Sequence, residues 1–210
     1  MKLQLALDEY TLEEALEMAE KVRDSIDIIE MGTPFVIHYG MEAVRTFAER
    51  FPDKEILSDE KIMDGGYLES EMAYQAGAEY CTVLAVTDDL TIKSCVKAAH
   101  DYNKKCVVDM ICVKDYAKRV KECEDLGADV LAVHTGADQQ AAGRTPLDDL
   151  KIMTENVKNV QVAVAGGISS KTIREYTKFH PDIIIVGGGI KKAEDPAEEA
   201  RLIKQAMEEA

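Results

Sequence analysis

Asp59, Lys61 and Asp64 set a cation between carboxylates in the run Asp59-Glu60-Lys61-Ile62-Met63-Asp64, where the apolar stretch Glu55-Ile56-Leu57-Ser58 ends. Side chains two apart on a strand share a face, so Asp59 and Lys61 point one way, Glu60 points the other, and Asp64 falls on the following loop. An ammonium in that position meets negative charge developing on a substrate, and a carboxylate beside it suits a hard metal ion. A charged surface loop carries similar residues, so the elements around this run decide what it does.

Short β-rich runs alternate with helix-period segments along the whole chain, the pattern of a parallel sheet with helical crossovers. The strand candidates are Leu3 to Leu7, Asp27 to Met31, Glu55 to Asp59, Tyr80 to Leu84, Cys106 to Met110, Val130 to His134, Gln161 to Ala165 and Ile183 to Val186. Eight such units predict an α/β fold, a single-domain (β/α)8 TIM barrel over residues 1–210. Helix signals agree. Thr11 with Glu13 and Glu14 reads as a capped acidic first turn, and Pro196 with Glu198 and Glu199 opens the last helix. Gly77 and Gly127 read as helix ends returning into strands.

A formal net charge of -15 over 210 residues argues against nucleic-acid binding, which needs clustered Lys and Arg. Cys81, Cys95, Cys106, Cys112 and Cys123 lack zinc-site spacing and are expected to be buried free thiols. The chain starts in a strand-like run without a signal core, and no apolar stretch is long enough to span a bilayer. A reduced, cytoplasmic setting and no membrane partner are expected.

Counting alternation along the strands puts Leu3, Leu5 and Leu7 toward helices and Asp8 toward the barrel interior. The same count places Glu30, Asp59, Asp109 and His134 at the carboxyl rim, where barrel active sites lie. Several inward carboxylates need compensation: Lys61 offsets one, and a divalent cation offsets two. Glu30 and Asp59, on neighbouring strands, are natural hard-oxygen ligands for Mg2+. The last two strands end in Val164-Ala165-Gly166-Gly167-Ile168-Ser169 and Ile185-Val186-Gly187-Gly188-Gly189-Ile190. Backbone amides of such loops form a phosphate site, with Ser169-Ser170 expected to cap the next helix. His38, His100 and His180 are expected to face solvent, and Asp88-Asp89 to cap a helix. Asp138, Gln139 and Gln140 belong either to the substrate site or to a polar loop.

Over essentially its full length the chain resembles the 3-hexulose-6-phosphate synthases of the orotidine-monophosphate-decarboxylase-like barrel group. The motifs are Leu5-Ala6-Leu7-Asp8, Asp27 to Pro34, Asp59-x-Lys61-x-x-Asp64, His134-Thr135-Gly136-x-Asp138-Gln139-Gln140-Ala141 and Ala163-Val164-Ala165-Gly166-Gly167. The resemblance implies a Mg2+-dependent aldolase joining formaldehyde to D-ribulose 5-phosphate reversibly. It implies Glu30 and Asp59 as metal ligands, Lys61 beside the enediolate oxygens, Asp8 at a substrate hydroxyl and His134 in proton transfer. Gly166, Gly167, Gly187 and Gly188 match the phosphate loops. Asp64 is implied to cross a homodimer interface into the partner's site. The related 3-keto-L-gulonate-6-phosphate decarboxylases carry Glu, Arg and Thr where this chain has Asp109, Ala137 and Ala165, and Arg where it has Gly188. A non-catalytic sugar-phosphate-binding barrel would use the glycine loops alone.

Overall fold

The computed structural model describes residues 1–210. Eight strands, β1 (Lys2–Leu7), β2 (Ile28–Met31), β3 (Glu55–Ile62), β4 (Tyr80–Leu84), β5 (Lys105–Asp109), β6 (Val130–His134), β7 (Gln161–Ala165) and β8 (Ile183–Val186), pair in parallel and in chain order. β8 returns to pair with β1, so the sheet closes as a (β/α)8 barrel and leaves no edge. Helices α1 (Leu12–Val22), α2 (Thr33–Tyr39), α3 (Met41–Arg50), α4 (Gly66–Gln75), α5 (Asp89–Asp101) and α6 (Tyr116–Asp125) follow the first five strands. They are followed by α7 (Ala137–Ala141), α8 (Leu147–Asn156), α9 (Ile173–Thr177), α10 (Gly188–Lys191) and α11 (Pro196–Glu208).

Local signals set the helix boundaries as expected. Thr11 and Glu14 exchange capping bonds, with Thr11 N donating to Glu14 Oε2 at 2.8 Å and Glu14 N to Thr11 Oγ1 at 3.3 Å. Asp88 accepts from Leu90 N, and Asp195 caps α11 with Pro196 behind it. Gly77 and Gly127 take φ of 106° and 94°, the left-handed geometry that lets each chain turn from helix into strand.

Alternation sorts the strand residues into two apolar layers. Leu3, Leu5, Leu7, Ile29, Ile56, Val108 and Val164 pack outward in a large cluster beneath the helices. Ile28, Leu57, Tyr80, Val107, Val130, Ala132, Ala163 and Ile183 fill the interior. At the amino-terminal end Lys2 Nζ meets Glu55 Oε2 at 2.5 Å, and Tyr80 donates to the same carboxylate oxygen at 3.1 Å. The interior is therefore plugged from below, and only the carboxyl end opens into a cavity.

Three expectations change. β3 runs on to Ile62, through the charged motif: pairing with β4 shifts register after Ser58 and resumes at Ile62 with Val83, and Lys61 in between takes a left-handed φ of 48°. Ser169 and Ser170 do not cap a helix: α9 starts at Ile173, Ser170 Oγ donates to Glu199, and Thr172 bonds back to Ser169. Four of the cysteines are buried, but Cys112 is exposed on the loop after β5, where its φ of 64° turns the chain outward. His38, His100 and His180 are exposed, as expected.

Candidate active site

The carboxyl rim encloses a cavity of about 310 Å³, at the lower end of the roughly 300–1,000 Å³ usual for small-ligand sites. Asp8, Glu30, Asp59, Lys61, Asp109 and His134 line one part of it; Ala165, Gly166, Gly167, Gly187 and Gly188 line another. Asp64, from the same sequence motif, does not line it. It is exposed on the β3–α4 loop, where its carboxylate accepts from Gly65 N at 2.7 Å.

Each charged side chain is fixed by its neighbours. Asp59 is 4% exposed and accepts from Thr82 Oγ1 and from Thr33 Oγ1, both at 2.7 Å. Lys61 Nζ bonds the same carboxylate and donates to Thr33 Oγ1 at 2.9 Å. Burial disfavours the Asp59 anion, but the Lys61 charge and these donors outweigh it and hold its pKa below the ordinary value. Burial likewise disfavours the Lys61 cation, and the charges of Asp59 and Asp109 outweigh that, so its pKa is raised. The bulge that aims Lys61 is stabilised by Thr82, whose hydroxyl accepts from the Lys61 backbone N–H at 2.9 Å. A non-glycine residue in that conformation costs about 1–3 kcal/mol, and here it delivers an ammonium to the rim.

Asp109 continues the chain of alternating charge. Its Oδ2 lies 3.8 Å from Lys61 Nζ and accepts from His134 Nδ1 at 2.8 Å, while its Oδ1 accepts from Ile111 N. The imidazole is thereby held in one tautomer, with Nε2 as its other proton-transfer atom. Burial alone would lower the His134 pKa, but the hydrogen bond and charge of Asp109 raise it above the usual histidine value. Glu60, by contrast, turns away and accepts from Ser58 Oγ at 2.5 Å, as strand alternation requires.

Glu30 is a buried carboxylate without an ion-pair partner. Only Gln4 Nε2 donates to it, at 2.6 Å, and burial followed by the Asp59 charge pushes its pKa well above the ordinary value. Glu30 and Asp59 are the two residues that would hold a divalent cation, and its charge would offset the burial of the Glu30 carboxylate. No group of three or more His, Cys, Asp or Glu is placed to hold a metal ion. Two carboxylates suit Mg2+, which keeps waters or substrate oxygens in its remaining positions.

The β7 and β8 loops pack against each other so closely that a Cβ at Gly189 would stand 2.2 Å from the Ile168 carbonyl oxygen. Gly166 and Gly167 take φ of 130° and 69°. The backbone N–H groups of Gly166, Gly167, Ile168 and Gly187 donate to no protein acceptor, which leaves them for an anion. Helices α9 and α10 are only five and four residues long, so amides rather than a helix dipole make this end attractive to phosphate.

Sequence reasoning did not single out Gln4, Thr33, Thr82 or Lys192. Alternation along β1 puts Gln4 on the same face as Asp8 without giving it a role, and alternation from Tyr80 would have found Thr82. Thr33 is recognised only through its contact with Asp59, and Lys192 only because a short helical turn brings it back over the cavity. Of the polar group after β6, Gln140 lines the cavity and donates to Thr135 O, whereas Asp138 and Gln139 do not line it.

A closed (β/α)8 barrel with a charged relay at one side of its rim cavity and unpaired amides at the other defines a barrel enzyme built for a small anionic ligand. The chain belongs to the orotidine 5'-phosphate decarboxylase / HUMPS family, whose model matches residues 1–203. It is 47% identical over 208 residues, 99% of each chain, to a Staphylococcus haemolyticus protein named 3-hexulose-6-phosphate synthase. The crystal structure of 3-hexulose-6-phosphate synthase from Salmonella typhimurium superposes with a TM-score of 0.98 at 56% identity, covering 100% of this chain and 99% of that one. KGPDC from Streptococcus mutans, solved as a ligand complex, superposes at 0.91 with 29% identity, covering 99% and 97%. The chain is an enzyme of the carbon–carbon lyase class. No helix is long and apolar enough to cross a membrane.

Proposed function

We propose that this enzyme condenses formaldehyde with D-ribulose 5-phosphate to D-arabino-hex-3-ulose 6-phosphate, reversibly, through a 1,2-enediolate. The observation that carries the reading is the Asp59–Lys61–Asp109–His134 array sharing one cavity with the glycine amides, in a chain this similar to proteins named for that synthase. The phosphate rests on the amides of the β7 and β8 loops, which places the ketone end of the sugar among the charges and lowers the orientational cost of reaction. His134 removes a proton from C1, Lys61 meets the negative charge that develops on the C2 oxygen beside the C1 hydroxyl, and C1 then forms its bond to the formaldehyde carbon. The proton held by His134 goes to the former formaldehyde oxygen, so atoms and charge balance. Asp8 takes a substrate hydroxyl. Glu30 and Asp59 are the residues to hold Mg2+, which when bound polarises the ketone and stabilises the enediolate charge.

The array predicts a pH signature. In the condensing direction His134 must be unprotonated, so activity rises with pH through its raised pKa. Asp109→Asn removes the contribution that raises this pKa, so the acid limb of kcat/KM moves to lower pH, with kcat reduced about 10-fold or more by loss of the orienting carboxylate. An acid limb left in place would show that another group titrates.

A second copy of the chain completes the site in this reading. Asp64 stands outside its own cavity, next in the chain to exposed Met63; Leu68 and Met72 on α4, Leu90 on α5 and Val86 on the β4–α5 loop are exposed too, and Thr87 Oγ1 ties the two loops by donating to Met63 O at 2.6 Å. Exposed apolar side chains on these packed elements and a solvent-facing carboxylate suit a homodimer in which Asp64 enters the partner's site. The four buried free thiols favour a reducing, cytoplasmic setting.

The 3-keto-L-gulonate-6-phosphate decarboxylase reading has a similar barrel behind it. Ala137 and Gly188 offer no charged side chain where the resemblance gives that decarboxylase Arg, and this favours the synthase. With 13C-labelled formaldehyde, the label should enter C1 of the hexulose phosphate. Absence of labelled sugar together with carbon dioxide release from 3-keto-L-gulonate 6-phosphate would transfer the assignment to the decarboxylase.

A further inference from the structure

We propose that Lys192 is the side-chain cation that binds the substrate's phosphate, and that it sets the preference of this cavity for a phosphorylated over a free sugar. The inference deepens the phosphosugar reading and rests on it for the identity of the molecule carrying the phosphate.

Among all lysines and arginines, only Lys61 and Lys192 line the cavity. Lys61 is committed to Asp59 and Thr33 at the carboxylate end. Lys192 makes no ion pair and no side-chain hydrogen bond, unlike its neighbour Lys191, which donates to the Glu9 carbonyl at 2.5 Å and stacks over Tyr10. Its side chain lies back over the β8 loop: a Cβ built at Gly188 would stand 3.9 Å from Lys192 Cε and 4.0 Å from Nζ. Lys192 is exposed at the mouth of the cavity and lines it together with Gly166, Gly167 and Gly187, whose amides donate to no protein acceptor.

The electrostatics require such a group. The carboxylate of Asp8 reaches this end too, with its Oδ2 3.7 Å from the Cβ position of Gly187, and the protein as a whole carries a formal net charge of -15. A dianionic phosphate arriving there meets like charge, and the flanking helices are too short to offset it by their dipoles. Amides fix the phosphate oxygens in place, and Lys192 supplies the opposite charge.

The experiment titrates inorganic phosphate into wild type, Lys192→Met and Lys192→Arg by calorimetry in EDTA, and then measures steady-state kinetics with D-ribulose 5-phosphate and Mg2+. Loss of a charge-assisted contact should weaken phosphate binding about 10-fold or more in Lys192→Met, while Lys192→Arg stays within about threefold of wild type. KM for the phosphosugar should rise by a similar factor with kcat within about threefold of wild type. Equal phosphate affinity in wild type and Lys192→Met, or no phosphate binding by wild type, overturns the proposal, as does a fall in kcat at unchanged KM. Loss of phosphate binding in Lys192→Met, with wild type inert toward formaldehyde, would uphold Lys192 while removing the reaction assigned to the site.

Discussion

Lys61→Ala should reduce kcat by at least about 10³-fold, the scale of losing a preorganised charge at a developing oxyanion, with the circular dichroism of the folded barrel retained. Lys61 is the only cation between Asp59 and Asp109, so no neighbouring group can take its place beside the enediolate oxygens. The fold should survive because Asp59 keeps the hydroxyls of Thr33 and Thr82, and because Lys61 lies at the open rim, outside the apolar plug. A modest loss of thermal stability is expected from the carboxylate left with fewer partners. The variant also reports on the assembly. Mixed and re-equilibrated with inactive Asp64→Ala, it should recover roughly a quarter of wild-type activity, since half the dimers are then mixed and each holds one intact site. No recovery, or full activity of Asp64→Ala alone, would remove the partner's Asp64 from the mechanism.

Glu30→Gln is the second large effect. The amide has the size of the carboxylate and still accepts from Gln4, so packing around position 30 changes little. Only the charge is lost, and kcat at fixed Mg2+ should drop about 10³-fold as metal affinity falls. Stability separates this from simple damage. Burial and the Asp59 charge raise the Glu30 pKa in the folded state, so above the ordinary value of 4.5 the folded protein holds a proton that the unfolded chain has released, and stability falls as pH rises through that window. Removing the carboxylate relieves this penalty. The metal-free variant should therefore unfold at the same temperature as metal-free wild type or higher near neutral pH, while the rise in Tm produced by Mg2+ disappears. A lower Tm without metal, or an undiminished Mg2+ response, would show that Glu30 is a structural residue.

Much of this arrangement is legible in the sequence because a barrel converts strand alternation directly into inside and outside. Asp8, Glu30, Asp109 and His134 all reach the cavity from a count of two along their strands, and Glu60 turns away by the same count. The glycine runs after β7 and β8 likewise announce amides close to a ligand. What alternation misses depends on irregular backbone or on contacts distant in sequence. The φ of 48° at Lys61 and the register shift beside it lie within β3 without any glycine or proline to signal them. Thr33 belongs to a helix start and meets Asp59 across 26 residues of chain. Lys192 follows a four-residue helix with no periodicity to place it, and Cys112 leaves the core because the loop after β5 turns left-handed at that residue.

The central claim, an aldolase that uses a metal and a phosphosugar, is tested most directly by following formaldehyde consumption with D-ribulose 5-phosphate and Mg2+, with and without EDTA. The expected result is loss of formaldehyde that requires the phosphosugar, stops with EDTA and returns when Mg2+ is added in excess. Formaldehyde untouched by folded, Mg2+-supplied enzyme would contradict the account.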